Sequence, residues 1–196
     1  MVWLDPLLRK LPAGWVAHPP ACYGSAMSPN VTAPALPFDP IASAAKTWEE
    51  RIGPSVAMSA VTNIMRVQQI LQATVDERLK PHGLSFARYE ALVLLSFSQR
   101  GSLPMRMMGE RLQLHPTSIT NIVDRLESDG LARRLPHPSD RRTTLVELTE
   151  AGRDRLTGAT AAVTGADFGF VGLDEPELDQ LSVLLTKVRR AAGDFA

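Results

Sequence analysis

A single cysteine, Cys22, leaves this chain without the means for an internal disulfide, and no Cys/His cluster stands at zinc-binding spacing. Long apolar runs are also missing: none approaches the roughly 18 consecutive residues that a membrane helix needs. The N-terminus has no signal-peptide layout, so the expected location is cytoplasmic, with no membrane partner. The four histidines, His18, His82, His115 and His137, sit in a tail, a helix end and two turns, outside any nucleophile or metal motif. A glycine-rich phosphate loop is absent. No enzymatic role, metal or cofactor is therefore expected. The formal net charge is zero, where a nucleic-acid binder would show a basic footprint. On whole-chain charge alone, that class is disfavoured.

Prolines, by contrast, crowd residues 1–40, where Pro6, Pro12, Pro19, Pro20, Pro29, Pro34, Pro37 and Pro40 interrupt every helical window. An irregular tail is expected there, dispensable at least over residues 1–26, with Met27 as an alternative start. Two helices are expected within residues 41–83. Ile41, Ala44, Ala45, Trp48 and Ile52 space as a short amphipathic helix anchored by Trp48, and Gly53-Pro54 breaks it. A long helix then carries Ala57, Ala60, Val61, Ile64, Gln68, Leu71, Val75 and Leu79 on one stripe over roughly six turns. That is more apolar helix than one small module can cover, and it implies a partner. Pro81, His82 and Gly83 end the helix. Ser85 is the expected cap of the next one, with Phe86, Tyr89, Leu92, Val93 and Leu95 apolar and Gln99 to Ser102 closing the run.

The stretch from Leu103 to Thr149 is the most informative. Met107, Met108 and Leu112 form the buried side of a short helix from Arg106 to Leu112, and Gln113 to His115 make a turn. Pro116 suits a first helical position, with His115 as the cap. Ile119, Ile122, Val123 and Leu126 then recur at i, i+3, i+4 and i+7, and Gly130 provides a left-handed stop. The opposite face is short and hydrogen-bonding: Thr117, Ser118, Thr120, Asn121, Asp124 and Arg125. Next come strand patterns at Leu131–Leu135 and Thr143–Leu148, joined through Pro136, Pro138, Ser139 and Asp140. The order is helix, turn, helix, then a β-hairpin wing bearing Arg133, Arg134, Arg141 and Arg142. Between Arg100 and Arg142, eight arginines face five acids, so a neutral chain carries a locally basic module. After it, Thr149 starts a helix with Leu156 and Val163. Asp174 and Glu177 open a last helix as a capping box, and Leu178, Leu181, Leu184, Leu185 and Val188 form its apolar face.

TSITNIVDRLESDGL and DRRTTLVELTEAGR resemble the recognition helix and wing signature of the MarR-type winged-helix transcriptional regulators, and the similarity runs from about Val56 to the C-terminus. Two departures stand out: Pro104 replaces a Ser or Thr cap, and Gly109 interrupts the first helix of the pair, leaving it either frayed or close-packed. The resemblance implies a mainly α fold: a winged helix-turn-helix with a small β-hairpin wing, flanked by N- and C-terminal dimerisation helices. The expected divisions are a tail over 1–40, dimerisation helices over 41–83, the DNA-binding module over 84–149 and dimerisation helices over 150–196. It also implies a homodimer on double-stranded DNA.

Candidate DNA contacts follow from position. Thr117 and Ser118 lie near the positive N-terminus of the second helix, where phosphates or base edges are met. Thr120 and Asn121 share that side, and Asn121 can pair bidentately with adenine. Arg125 is placed for phosphate, and His115 and Pro116 form the helix start. On the wing, Arg141 and Arg142 beside Asp140 suit a narrow, strongly negative minor groove. A small aromatic or anionic effector, implied by the resemblance alone, would lie between the dimerisation helices and the reading module. Trp48, Met65, Arg66, His82, Arg88 and Tyr89 are candidates, although each also fits a core or surface-pair role. The alternative function is a winged helix kept for protein contacts without specific DNA binding, which has no need of an arginine-tipped wing.

Overall fold

The computed structural model describes residues 36–98, 101–140 and 142–195. Expectations for residues 1–35 of the tail, Cys22 included, and for Arg141 lie outside the described residues.

The first helix, α1 (Pro40–Arg51), begins earlier than its periodicity suggests. Asp39 Oδ1 accepts the N–H groups of Ile41 and Ala42 at 2.8 and 3.3 Å, and Pro40 fills the first helical position. Asp39 and Pro40 therefore belong to the helix start, which comes one residue before the expected Ile41. The anchoring role expected of Trp48 is not met either, since α1 has no buried residue and Trp48 is 37% exposed. Ser55 links this helix to the next by donating its hydroxyl to Glu49 at 2.6 Å.

Helix α2 (Val56–Leu79) is 24 residues long, yet only Val75 and Leu79, at its C-terminal end, are buried. A 3-10 turn over Lys80–His82 and Gly83 at φ +66° stop it. Ser85 stands at the cap of α3 (Phe86–Ser96), but its side chain makes no capping bond. Asp76 of α2 does this work instead: its Oδ1 accepts the Phe86 N–H at 3.1 Å. The cap comes from ten residues upstream because the turn brings the end of α2 against the start of α3.

Residues 102–104 correct the expectation of a closing loop. Ser102–Pro104 is a strand, β1, in a three-stranded antiparallel sheet with β2 (Ala132–Pro136) and β3 (Thr144–Leu148), in the order β1-β3-β2. Leu103 pairs with Val146 and is almost fully buried, while Pro104, which has no N–H, stands on an edge strand. In the hairpin, Ala132 faces Leu148 and Pro136 faces Thr144, so Pro136 ends a strand instead of opening the turn.

One core unites these elements. Leu79, Leu92, Leu95, Met108, Ile119, Leu126, Leu131 and Val163 have almost no exposure. Helix α6 (Glu150–Thr164) is capped by Thr149, whose Oγ1 accepts the Gly152 N–H at 3.0 Å. A Cβ on Gly152 would fall inside van der Waals contact of the Leu131 carbonyl oxygen and 2.7 Å from Leu148 Cδ1. The helix can approach the hairpin this closely only without a side chain there. Helix α7 (Glu175–Ala191) has the expected capping box between Asp174 and Glu177, but none of its residues is buried.

Candidate nucleic-acid interface

Two helices and the hairpin converge on one exposed end of the module. The first of the pair, α4 (Met105–Leu112), follows Pro104, which offers no side-chain cap, in line with its chemistry. It starts one residue before the expected Arg106. Met108 is buried, while Met107 and Leu112 are only half-buried. Gly109 marks close packing, not fraying: a Cβ there would lie 3.3 Å from the Leu114 carbonyl oxygen and 3.5 Å from Ile119 Cγ1. Gln113, at φ +54° and ψ +41°, turns the chain towards the second helix.

That helix, α5 (Pro116–Ser128), has Pro116 in its first turn and His115 as its cap, with Nδ1 accepting the Thr117 N–H at 3.3 Å. The contact requires Nδ1 to be the unprotonated ring nitrogen. Ile119, Val123 and Leu126 are buried and Ile122 half-buried, so the sequence stripe is the packing face. Thr117, Ser118, Thr120, Asn121 and Arg125 are all exposed. The Thr120 hydroxyl donates back to Pro116 O at 3.1 Å, leaving it chiefly an acceptor. Asn121, Asp124, Arg125 and Ser128 line a shallow concavity further along. Gly130, at φ +70°, ends the segment as expected.

The wing tip is held by its own side chains. His137 Nδ1 accepts the N–H groups of Ser139 and Asp140 at 3.3 and 3.1 Å. Asp140 in turn accepts the Thr143 hydroxyl at 2.6 Å and the Arg142 N–H at 3.0 Å. These two bonds, the hydroxyl first, hold the Asp140 carboxyl below the usual carboxylate range. Asp140 therefore positions Arg142 through its backbone. The exposed Arg142 side chain makes no ion pair among the described residues.

Arg134 has a role that periodicity did not reveal. From β2 its guanidinium reaches Glu127 Oε2 and Asp124 Oδ1, each at 2.5 Å, and its own N–H donates to Glu127 Oε1 at 3.0 Å. This N–H, followed by the guanidinium, draws the Glu127 carboxyl below its ordinary range. Burial works against the Arg134 charge, but the two carboxylates outweigh it and raise its pKa. Arg88 of α3 pairs with Asp129 at 2.8 Å, and Arg133 pairs with Glu147 across the hairpin. The acids of α5 are thus clamped by arginines from neighbouring elements, leaving Arg125 and Arg142 outward. The i, i+3 spacing of Asp124 and Glu127 was the available signal for a shared cation.

The six effector candidates differ in their surroundings within the single chain. Trp48, Met65 and Arg66 are exposed on α1 and α2, and Arg66 donates to Gln69 at 3.2 Å. His82 O accepts Arg155 Nη1 at 2.6 Å. Arg88 is engaged by Asp129. Tyr89 is buried, with its hydroxyl 3.3 Å from Thr160 Oγ1, and burial raises its pKa.

Comparison with known proteins gives a consistent result. Residues 87–144 match the MarR family. The transcriptional regulator MhqR of Bacillus subtilis is 32% identical over 136 residues, covering 67% of this chain and 90% of that protein. Sco5413, a MarR family transcriptional regulator of Streptomyces coelicolor, is 50% identical with a TM-score of 0.66, covering 71% of this chain and 96% of that one. A mutant MarR of Escherichia coli, solved in complex with operator DNA, is 26% identical with a TM-score of 0.62, covering 72% of this chain and 96% of that one.

Proposed function

Because this chain belongs to the MarR family of winged-helix transcriptional regulators, we propose that it binds a pseudo-palindromic operator in double-stranded DNA as a homodimer and represses transcription in response to a small molecule. One observation carries the DNA reading: among the described residues, the exposed side chains of Thr117, Ser118 and Asn121 on α5 and of Arg142 on the wing make no hydrogen bond or ion pair within the fold, while the acids beside them are neutralised by neighbouring arginines. A helix with small hydrogen-bonding side chains at its N-terminus suits the major groove, and an outward arginine on a hairpin suits the minor groove. In this scheme Thr117, Ser118 and Asn121 meet bases or phosphates, Arg125 meets phosphate, and Arg142 enters the minor groove.

Selection from a random duplex pool by the full chain tests this reading. Enrichment of an inverted repeat is the expected outcome. Failure to enrich any sequence above a nonspecific competitor would overturn it in favour of a protein-contact module. Effector response rests on family membership alone, and a thermal-shift screen of aromatic acids followed by DNA release checks it.

A further inference from the structure

The chain does not end when α7 does. Gly193, at φ +74°, reverses the backbone, with its N–H bonded to Arg190 O at 3.0 Å and the Asp194 N–H bonded to Arg189 O at 3.1 Å. This αL turn swings Asp194 back beside the helix end. There one carboxylate oxygen accepts Arg189 Nε at 2.6 Å, and the other accepts Gln113 Nε2 at 2.7 Å. Phe195 lies 5.3 Å from the guanidinium carbons of both Arg189 and Arg190, which fixes the tail on the same side. The Arg189 bond, then the Gln113 bond, keeps the Asp194 carboxyl below its ordinary range, so the contact persists through mildly acidic pH.

The place it touches matters more than its strength. Gln113 is the left-handed joint between α4 and α5, one of the few non-glycine residues at positive φ among those described. The Asp194–Gln113 contact spans 81 positions in sequence and ties the end of an otherwise unburied helix to the joint that aims the recognition helix. We propose that Asp194 is a positioning residue for DNA binding: by linking α7 to the Gln113 joint, it fixes the separation of the two recognition helices in the dimer and so the half-site spacing the protein accepts. The inference rests on the dimer reading above, with α7 at the subunit interface.

The test uses the full chain with Asp194→Ala, Gln113→Asn and both together. Asn tolerates the left-handed region but is one methylene too short to reach Asp194, so backbone strain does not confound the result. The probes are duplexes carrying the half-sites selected by the wild type, at the preferred spacing and at one or two base pairs shorter or longer. Wild type is expected to lose affinity steeply away from its preferred spacing. Each single variant should lose roughly threefold to tenfold at that spacing and show a flattened profile, with the double variant no worse than either. A general loss of stability would lower affinity at every spacing alike and leave the profile steep, which overturns the proposal, as would additive effects of the two substitutions. Sedimentation separates the two levels of failure. A wild-type monomer removes the dimer reading and this proposal together, whereas dimers with unchanged spacing profiles remove this proposal alone.

Discussion

At the scale of single residues, the three described arginines of the wing, Arg133, Arg134 and Arg142, fall into different physical roles. Arg133 and Arg134 are consumed by acids within the fold, whereas Arg142 points outward from a turn held by Asp140 and His137. Arg142→Ala should therefore weaken operator binding by about 1 to 3 kcal/mol and reduce the salt dependence by roughly one counterion, with melting temperature unchanged. Asn121→Ala should behave differently, relaxing preference at one base pair while leaving the salt slope intact. Anisotropy titrations at several salt concentrations, on the selected operator and on single-base variants, measure both. Equal affinities for wild type and Arg142→Ala across that range would end the minor-groove assignment. The contrast with Arg134 explains why counting basic residues misleads here. A locally positive module is built partly from charges already paired within the fold.

At the scale of elements, what the sequence makes legible is what is decided locally. Pro116, the Ile119 to Leu126 stripe and Gly130 specify α5 within a few turns, and Asp174 with Glu177 specifies the start of α7. What periodicity misses is decided by distant neighbours. Strand β1 is three residues long and exists because Leu103 can pair with Val146 some forty positions away. The α3 cap moves from Ser85 to Asp76 for the same reason, and Arg134 finds Glu127 only once the hairpin lies against α5. Gly152 belongs with these: nothing in an Ala-Gly-Arg helix start announces that Leu131 O lies against it. Gly152→Ala should cost about 3 kcal/mol, because the clash is with backbone, which cannot swing aside. Denaturant unfolding measures that loss, and Gly130→Asn provides a control. Gly130, unlike the helical Gly152, adopts the left-handed region, but a Cβ there meets nothing within 4 Å, so that substitution should cost far less. Comparable losses at both sites would show that close approach to Leu131 is not what sets the cost at 152.

At the scale of the whole molecule, the two longest helices leave most of their apolar residues uncovered. Val61, Ile64 and Met65 on α2 and Val183, Leu184 and Val188 on α7 are 46% to 67% exposed, while the core is complete without them. Scattered exposed apolar side chains are ordinary, but helical stripes of them are not. A second copy of the chain is the partner that closed symmetry supplies most simply. Two recognition helices related by a two-fold axis would then address half-sites about one turn, ~10 bp, apart. Replacing Leu184 and Val188 together with Glu should convert a dimer into a monomer, since facing acids would be buried against their symmetry mates without counter-charges. Neither side chain belongs to the core, so each monomer should keep its helical content and its melting transition. DNA binding should nevertheless fall steeply on a full operator and hardly at all on an isolated half-site, because the second contact loses its intramolecular advantage of roughly 10²-fold or more. Sedimentation velocity at micromolar concentration, together with titrations on full and half operators, distinguishes the outcomes. A wild type that sediments as a monomer would remove the dimer reading, and a Leu184→Glu/Val188→Glu chain that remains dimeric would place the subunit interface somewhere other than α7.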